Sequence, residues 1–310
     1  MKEQEAHSPA EGRSFEAVIV GGSYAGLSAA MALGRALRKV LIIDSALPCN
    51  RQTPHSHNFI THDGEKPGAI AEKARAQVLK YDTVTFRRDE VVGGTKSMGG
   101  FELTTRSGAT FNAEKLIFAT GIKDTMPAIK GFAACWGISV IHCPYCHGYE
   151  YRGQNTGIMA NGEKALHLAS LVNNLTGKIT ILTSGQPDFS SGQLEKLDSR
   201  GIQVVSTPVS EIEHDGGHVR SVVFEDGRKM ELDAVYAAIP FTQHSDLPFL
   251  LGCELTEHGR IKVDAGQKTT VNGIFACGDN SSPMRSVASA VSTGNIAGAM
   301  LNHGLTMERF

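Results

Sequence analysis

No apolar run in the 310-residue chain approaches the roughly 20 residues a bilayer-spanning helix needs. The first 14 residues, "MKEQEAHSPAEGRS", are polar and contain no apolar h-region, so they read as a loose tail, not a secretion signal. Neither sign of charge dominates. Thirty Lys and Arg against 32 Asp and Glu give a formal net charge of -2, which argues against nucleic acid or an anionic membrane as partner. Aromatic residues are sparse, with one Trp, at position 136. Low-complexity segments and short-period repeats are missing. The expected setting is the cytoplasm, where thiols stay reduced and a disulfide framework is not expected.

Cysteine is used sparingly as well. Six are present, and only Cys143 and Cys146 form a motif, "IHCPYCHGYE" at 141–150. The other four are isolated in apolar or mixed contexts, where Cys behaves as a small buried hydrophobe. A structural zinc would need four ligands, yet no second C-x-x-C and no H-x-x-H exists, so no metal is expected. The remaining readings of the pair are a structural disulfide and a redox couple.

Glycine is abundant, at 34 residues, and it clusters where strands turn into helices. The β-branched run "AVIV" leads into Gly21-Gly22-Ser23-Tyr24-Ala25-Gly26, then an Ala- and Leu-rich helix, then "KVLIID" ending in Asp44. This is G-x-G-x-x-G with Ser at the middle position. Gly21, Gly22, Ser23, Ala25 and Gly26 let the backbone approach a pyrophosphate at the helix start, and Asp44 stands where ribose hydroxyls are bound. A helix is expected over about 68–80, followed by a β-meander and the strand "EKLIFATG". Ala119, Thr120 and Gly121 offer a small-residue strand end against which a flavin could pack. Near the C-terminus, "GIFACGD" places Gly278 and Asp279 after a strand, with a small-residue helix from about 285 to 301. Ser286 and Val287 begin that helix, whose positive end suits the negative charge of a reduced flavin. Together these pieces point to FAD.

In this order, "GGSYAG", Asp44, "ATG", the C-x-x-C in an inserted segment and "GIFACGD" resemble the low-molecular-weight thioredoxin reductase-like flavoproteins, from about residue 15 onward. The resemblance implies an α/β fold of two Rossmann-like (three-layer ββα) domains, the second inserted into the first. The FAD domain would be split into 1–122 and 243–310, and 123–242 would be the inserted domain carrying the CPYC motif. It also implies a homodimer. Cys146 matches the flavin-side cysteine and Cys143 the outer one that exchanges with substrate, while Gln52 and Asn58 fall in the flavin-wall loop.

The inserted domain of that family binds NADPH, and here its pattern has decayed. The fingerprint reads Ala160-Asn161-Gly162-Glu163-Lys164-Ala165, with Ala for the first glycine and an acid beside the phosphate position. After the next strand, "ILTSGQPDFSS" holds no Arg or Lys for a 2'-phosphate. With C-x-x-C-H-G-Y-E, these changes resemble the dithiol oxidases that close disulfides in natural products of the gliotoxin and holomycin type. In those relatives a substrate dithiol reduces the cysteine pair, and O2 takes the electrons from FAD.

His147 follows the second cysteine where reductases carry Asp. It titrates near neutral pH, so it can take a proton as a thiolate forms and return it later. Pro144 stiffens the turn. His142 is read as structural, and His55, His57 and His62 as members of a polar loop. Three functions stay open: an FAD-dependent dithiol oxidase, an NAD(P)H-dependent thioredoxin reductase, and a redox-sensing flavoprotein without turnover. The partner is correspondingly a small dithiol or disulfide, or a thioredoxin-like protein.

Overall fold

The computed structural model describes residues 14–310. In chain order, β1 (Ser14–Val20), α1 (Tyr24–Arg35) and β2 (Val40–Asp44) form the first βαβ unit, and α2 (Pro67–Val78) leads to β3 (Val84–Arg88). Next, β4 (Val91–Ser97), β5 (Gly100–Thr105) and β6 (Thr110–Phe118) make the meander, and β7 (Ile122–Asp124) leaves it. The insertion holds α3 (Phe132–Cys135), β8 (Val140–Ile141), α4 (Pro144–His147), β9 (Thr156–Met159), α5 (Gly162–Val172), β10 (Ile179–Leu182), α6 (Ser191–Asp198), β11 (Gln203–Val205), β12 (Val209–Asp215), β13 (His218–Phe224), β14 (Lys229–Glu231) and β15 (Ala234–Ala237). The chain returns through β16 (Phe241–Gln243), α7 (Leu247–Leu250), β17 (Ile274–Ala276) and α8 (Val287–Arg309).

Two compact units result. One comprises the described residues up to Cys49, Gly68–Lys123 and Gln243–Phe310; the other comprises Asn50–Pro67 and Asp124–Thr242. The loop 50–67 therefore packs with the inserted unit, whereas the sequence reading places it within 1–122. Its polar, turn-rich residues carry no periodicity that could have assigned it to either core.

In the first unit the sheet order is β3-β2-β1-β6-β5-β4, with β17 also on β6. The nine-residue β6 is long enough to fork. Its first half pairs antiparallel with β5 and its last three residues pair parallel with β17. The apolar runs of β1, β2 and β6 are buried on both faces, as in a covered parallel sheet. Val18, Val20, Leu41, Ile43, Leu116 and Phe118 enter one core, and Ala17, Ile19, Val40, Ile42 and Ile117 the other. Helix α8 runs to Arg309, eight residues past the expected end. Its last turns are polar, and Arg309 and Glu308 are held by Glu114 and Lys115 of β6, which periodicity does not register.

The second unit has a parallel five-stranded sheet, β11-β10-β9-β15-β8, and a three-stranded antiparallel sheet, β12-β13-β14. Among the described residues no helix is long and apolar enough to cross a membrane.

Candidate active site

In the first unit the strand ends converge on the glycine turn. Gly21 takes φ 105° and donates to Ile43 O at 2.8 Å. A Cβ there would lie 2.3 Å from Ala119 O, and one at Gly26 would lie 1.9 Å from Gly21 O, so neither position admits a side chain. Asp44 Oδ1 accepts the Gly22 N–H at 2.8 Å and its Oδ2 accepts the Ala46 N–H at 3.1 Å, which fixes the carboxylate at the strand end. Ser23 precedes α1 without capping it through its side chain, so that hydroxyl does not compete with an anion for the first-turn amides.

The other expected ligand residues of this unit gather around the end of β6. Ala119 donates to Val20 O at 2.8 Å, and Cys277 donates to Phe118 O at 3.0 Å. Gly278 N–H donates to Thr293 Oγ1 at 3.0 Å. Asp279 faces Arg285 at 3.6 Å, and its carbonyl accepts from Arg260 at 2.8 Å. The Ser286 hydroxyl accepts the Ser289 N–H at 3.1 Å, so it caps α8, which opens at Val287. Thr120 Oγ1 accepts from Asn280 Nδ2 at 3.3 Å, and Gly121 ends the run at φ 66°.

Asn280 is the residue the sequence reading missed. It is fully buried, its Nδ2 donates to Phe118 O at 2.8 Å, and its Oδ1 has no hydrogen-bond partner. A buried acceptor left open is costly unless a ligand donor meets it. Its one signal in the sequence is its place directly after Gly278-Asp279. The cradle without Cβ atoms, the helix start without a side-chain cap, the strand-end carboxylate and this open acceptor all fit FAD.

Gln52 and Asn58 belong to the other unit. Gln52 Nε2 donates to Ala133 O at 3.5 Å, and the Asn58 N–H donates to Asp63 Oδ1 at 2.7 Å.

In the second unit Cys143 is the N-cap of the one-turn helix α4, with Pro144 at its first position, where the missing N–H costs nothing. The N–H groups of Cys146 and His147 donate to Cys143 O at 3.2 and 3.3 Å. Positions three apart on a helix share a face, so the turn brings the two half-buried cysteines together. Gly148 closes the turn. A Cβ there would lie 2.3 Å from Pro144 O, 2.4 Å from Leu175 Cδ1 and 2.9 Å from the Tyr236 hydroxyl.

His147 has both ring nitrogens shut from solvent and no hydrogen-bond partner for either. Burial pushes its pKa down; nearby Glu150 works against this and His57 adds to it. His142 lies against Trp136, ring centroids 6.0 Å apart, and Trp136 stacks on Phe132 at 5.7 Å. His55 Nδ1 is 2.9 Å from Gly64 O and His62 Nδ1 is 3.1 Å from Glu65. The thiols of Cys135 and Cys277 are buried, which pushes them up to about 11 and about 12 and leaves them inert. Among the described residues no three His, Cys, Asp or Glu side chains could hold a metal ion together.

The start of α5, where a second dinucleotide would place its phosphates, is engaged by the chain itself. Asn161 Oδ1 accepts the N–H groups of Gly162 and Asp188, both at 2.9 Å, and its Nδ2 donates to Gln186 O at 2.9 Å. A Cβ on Gly162 would stand 3.2 Å from Asp188 Oδ2, so a carboxylate lies beside the helix start. Glu163 adds a second, held by Gln193 Nε2 at 2.7 Å.

These two units, a glycine cradle in one and a C-x-x-C helix in the other, define a flavin-linked disulfide oxidoreductase. The chain belongs to the pyridine nucleotide-disulphide oxidoreductase family, whose model matches residues 15–294, and it is thioredoxin reductase-like in fold. It is 34% identical over 310 residues to thioredoxin reductase tcpT of Claviceps purpurea, covering 94% of this chain and 95% of the relative. It is also 34% identical to thioredoxin reductase aclD of Aspergillus oryzae over 302 residues, 91% of this chain and 94% of that one. A crystal structure of an oxidoreductase from Agrobacterium tumefaciens superposes with a TM-score of 0.89 at 37% identity, covering 95% of this chain and 99% of that one. Membership makes this an enzyme acting on sulfur groups and implies a flavin cofactor.

Proposed function

We propose that the chain is an FAD-dependent thiol–disulfide oxidoreductase whose Cys143 and Cys146 take electrons from a small dithiol, with a non-nicotinamide acceptor such as O2 at the far end. The observation that carries this reading is the start of α5, where Asn161, Asp188 and Glu163 stand in the place of a pyrophosphate. Two carboxylates there repel a dinucleotide phosphate, and no Arg or Lys follows β10 before Lys196 to offset them.

In the proposed cycle a substrate thiolate attacks Cys143 Sγ of the oxidised pair, the Cys143–Cys146 bond breaks and Cys146 leaves as thiolate. The second substrate thiol then closes the substrate disulfide and releases Cys143. Two electrons and two protons leave the substrate; His147 accepts the first proton as the attacking thiolate forms, passes it to the Cys146 thiolate, and is then free to accept the second. Gly21, Gly22, Ser23, Ala25, Gly26, Asp44, Ala119, Thr120, Gly121, Gly278, Asp279, Ser286 and Val287 together with Asn280 would hold FAD, which would supply a two-electron acceptor for the cysteine pair. Gln52 and Asn58 belong to the same proposal as the flavin wall. In this reading the chain works in the cytoplasm as a homodimer.

The names of the relatives favour a second reading, an NAD(P)H-dependent thioredoxin reductase. Anaerobic mixing separates the two. A small dithiol is expected to bleach the flavin absorbance, with O2 uptake on aeration, while NADPH and NADH leave it unchanged. Rapid bleaching by NADPH sinks the oxidase reading, and bleaching by none of the three favours a sensor.

A further inference from the structure

One charged cluster beside the redox helix is not used by the cycle above. His57 lies between two carboxylates, with Nδ1 3.6 Å from Asp63 Oδ1 and Nε2 3.6 Å from Glu150 Oε1. Glu150 sits three residues after His147 in the turn that follows α4. His57 and Asp63 come from the loop 50–67, which packs in this same unit. The cluster grades outward. The His57 side chain is 22% exposed, Glu150 39% and Asp63 67%, while both ring nitrogens of His147 are sealed and have no partner.

A sealed imidazole without a partner is a poor place to store a proton, because its cation has lost water and gained nothing. The cycle nevertheless asks His147 to hold a proton for part of each turnover. A counter-charge near it resolves the conflict, provided that this charge is itself held in balance. We infer that the Glu150–His57 pair governs the charge that His147 can carry, Glu150 favouring the imidazolium and a protonated His57 opposing it. Both are positioning residues for the proton step. When a substrate thiol gives its proton to His147, the new positive charge is balanced by the Glu150 carboxylate. A second positive charge, on His57, discourages it. The other titratable groups beside the motif are Cys143 and Cys146 on its own element and Tyr151 and Tyr236, the latter two neutral because burial pushes both phenols up. The opposed influences of Glu150 and His57 on His147 agree in sign with this assignment.

This inference rests on the proposed thiol–disulfide chemistry, and its test has a readout that does not. Full-length FAD-loaded protein is titrated by histidine-ring NMR, with His147→Asn used to assign the His147 signal. Glu150→Gln is expected to lower the His147 titration midpoint and His57→Gln to raise it, each by about half a pH unit, as a single charge acting through largely hydrated surroundings does. Glu150→Asp is expected to restore most of the wild-type value. Anaerobic bleaching by dithiothreitol should follow, with the acid limb of its pH profile moving down in Glu150→Gln and up in His57→Gln. A purely structural role would move both variants the same way or alter only amplitude. Midpoints that stay put, or move in one direction in both variants, overturn the inference. If either Gln variant fails to fold, Glu150→Ala or His57→Asn is read by the same two-way criterion. Bleaching by NADPH in a protein with the opposed NMR shifts would remove the oxidase reading and leave the pair's role intact.

Discussion

The side-chain oxygen of Asn161 accepts the backbone N–H of Asp188 at 2.9 Å, which ties the start of α5 to the loop after β10. The same oxygen caps Gly162, so one side chain both satisfies the helix start and draws an acidic residue to it. Replacing Asn161 with Ala is expected to cost about 1–2 kcal/mol through the lost cap, read as a lower urea midpoint for the second unit. It should not create NADPH-driven bleaching, because the Asp188 and Glu163 carboxylates remain. Bleaching within seconds in this variant would show that the tie alone excludes the nucleotide.

Gly148 explains the letter after the redox histidine. Any Cβ there meets Pro144 O, Leu175 and the Tyr236 hydroxyl at under 3 Å, two of them backbone or buried. Gly148→Ala is expected to overpack the turn, destabilise the second unit by about 1–3 kcal/mol, and slow dithiol-driven bleaching on the order of 100-fold by displacing the cysteines. FAD content should be unchanged, since the cradle lies in the other unit. Loss of FAD together with activity would contradict this division of labour.

Much of this was legible in the sequence, and the reasons differ from residue to residue. The first βαβ unit was readable because strand, glycine turn, helix, strand and Asp44 come in register within one local segment. The C-x-x-C motif was readable as a turn because its residues are adjacent in sequence, but that the turn is the helix α4 was not. Asn280 was not, because its role arises from Phe118 and Thr120, some 160 residues away, converging on its side chain. The His57–Glu150 pair was hidden because the loop 50–67 carries no pattern that ties it to the inserted unit. The self-engaged start of α5 was half visible. Glu163 and the missing basic residues could be seen, but the return of Asp188 to Asn161 depends on the path of a loop.

The open acceptor on Asn280 makes a direct prediction for the cofactor. Asn280→Ala removes the bond to Phe118 O and whatever the ligand would donate to Oδ1. At about 1 kcal/mol net for each hydrogen bond, FAD should bind about tenfold more weakly or worse, measured by flavin fluorescence on refilling stripped protein. Unchanged affinity would mean that Oδ1 does not face the cofactor.

The buried His147 ring carries a stability consequence with a definite sign. Its pKa in the fold lies below the ordinary 6.5, chiefly through burial. The unfolded chain therefore binds the proton more readily, and as pH falls below 6.5 the native state loses stability until it too is protonated. His147→Asn removes that loss. The stability of the wild type relative to the variant should thus be higher at about pH 8 than at about pH 5, read from urea midpoints at both values. An equal difference at the two values would place the ring in water.

Two glycines of α8 should respond to the same substitution with opposite signs. At Gly294 a Cβ would sit 2.1 Å from Ala25 O, at the point where α8 crosses α1 beside the cradle and Ser28 Oγ donates to Val291 O at 2.7 Å. Gly294→Ala must push the helices apart, with a cost of about 1–3 kcal/mol, and it should weaken FAD retention because Ala25 belongs to the phosphate turn. At Gly304, ten residues further along the same helix, nothing lies within 4 Å of a built Cβ. Gly304→Ala removes only the entropy penalty of a mid-helix glycine and should stabilise by about 0.5–1 kcal/mol. Thermal unfolding of the two variants, each with its FAD content, checks the pair. If both destabilise, α8 is not packed along its length as described; if neither does, the close crossing at Ala25 is not what holds the cradle in shape.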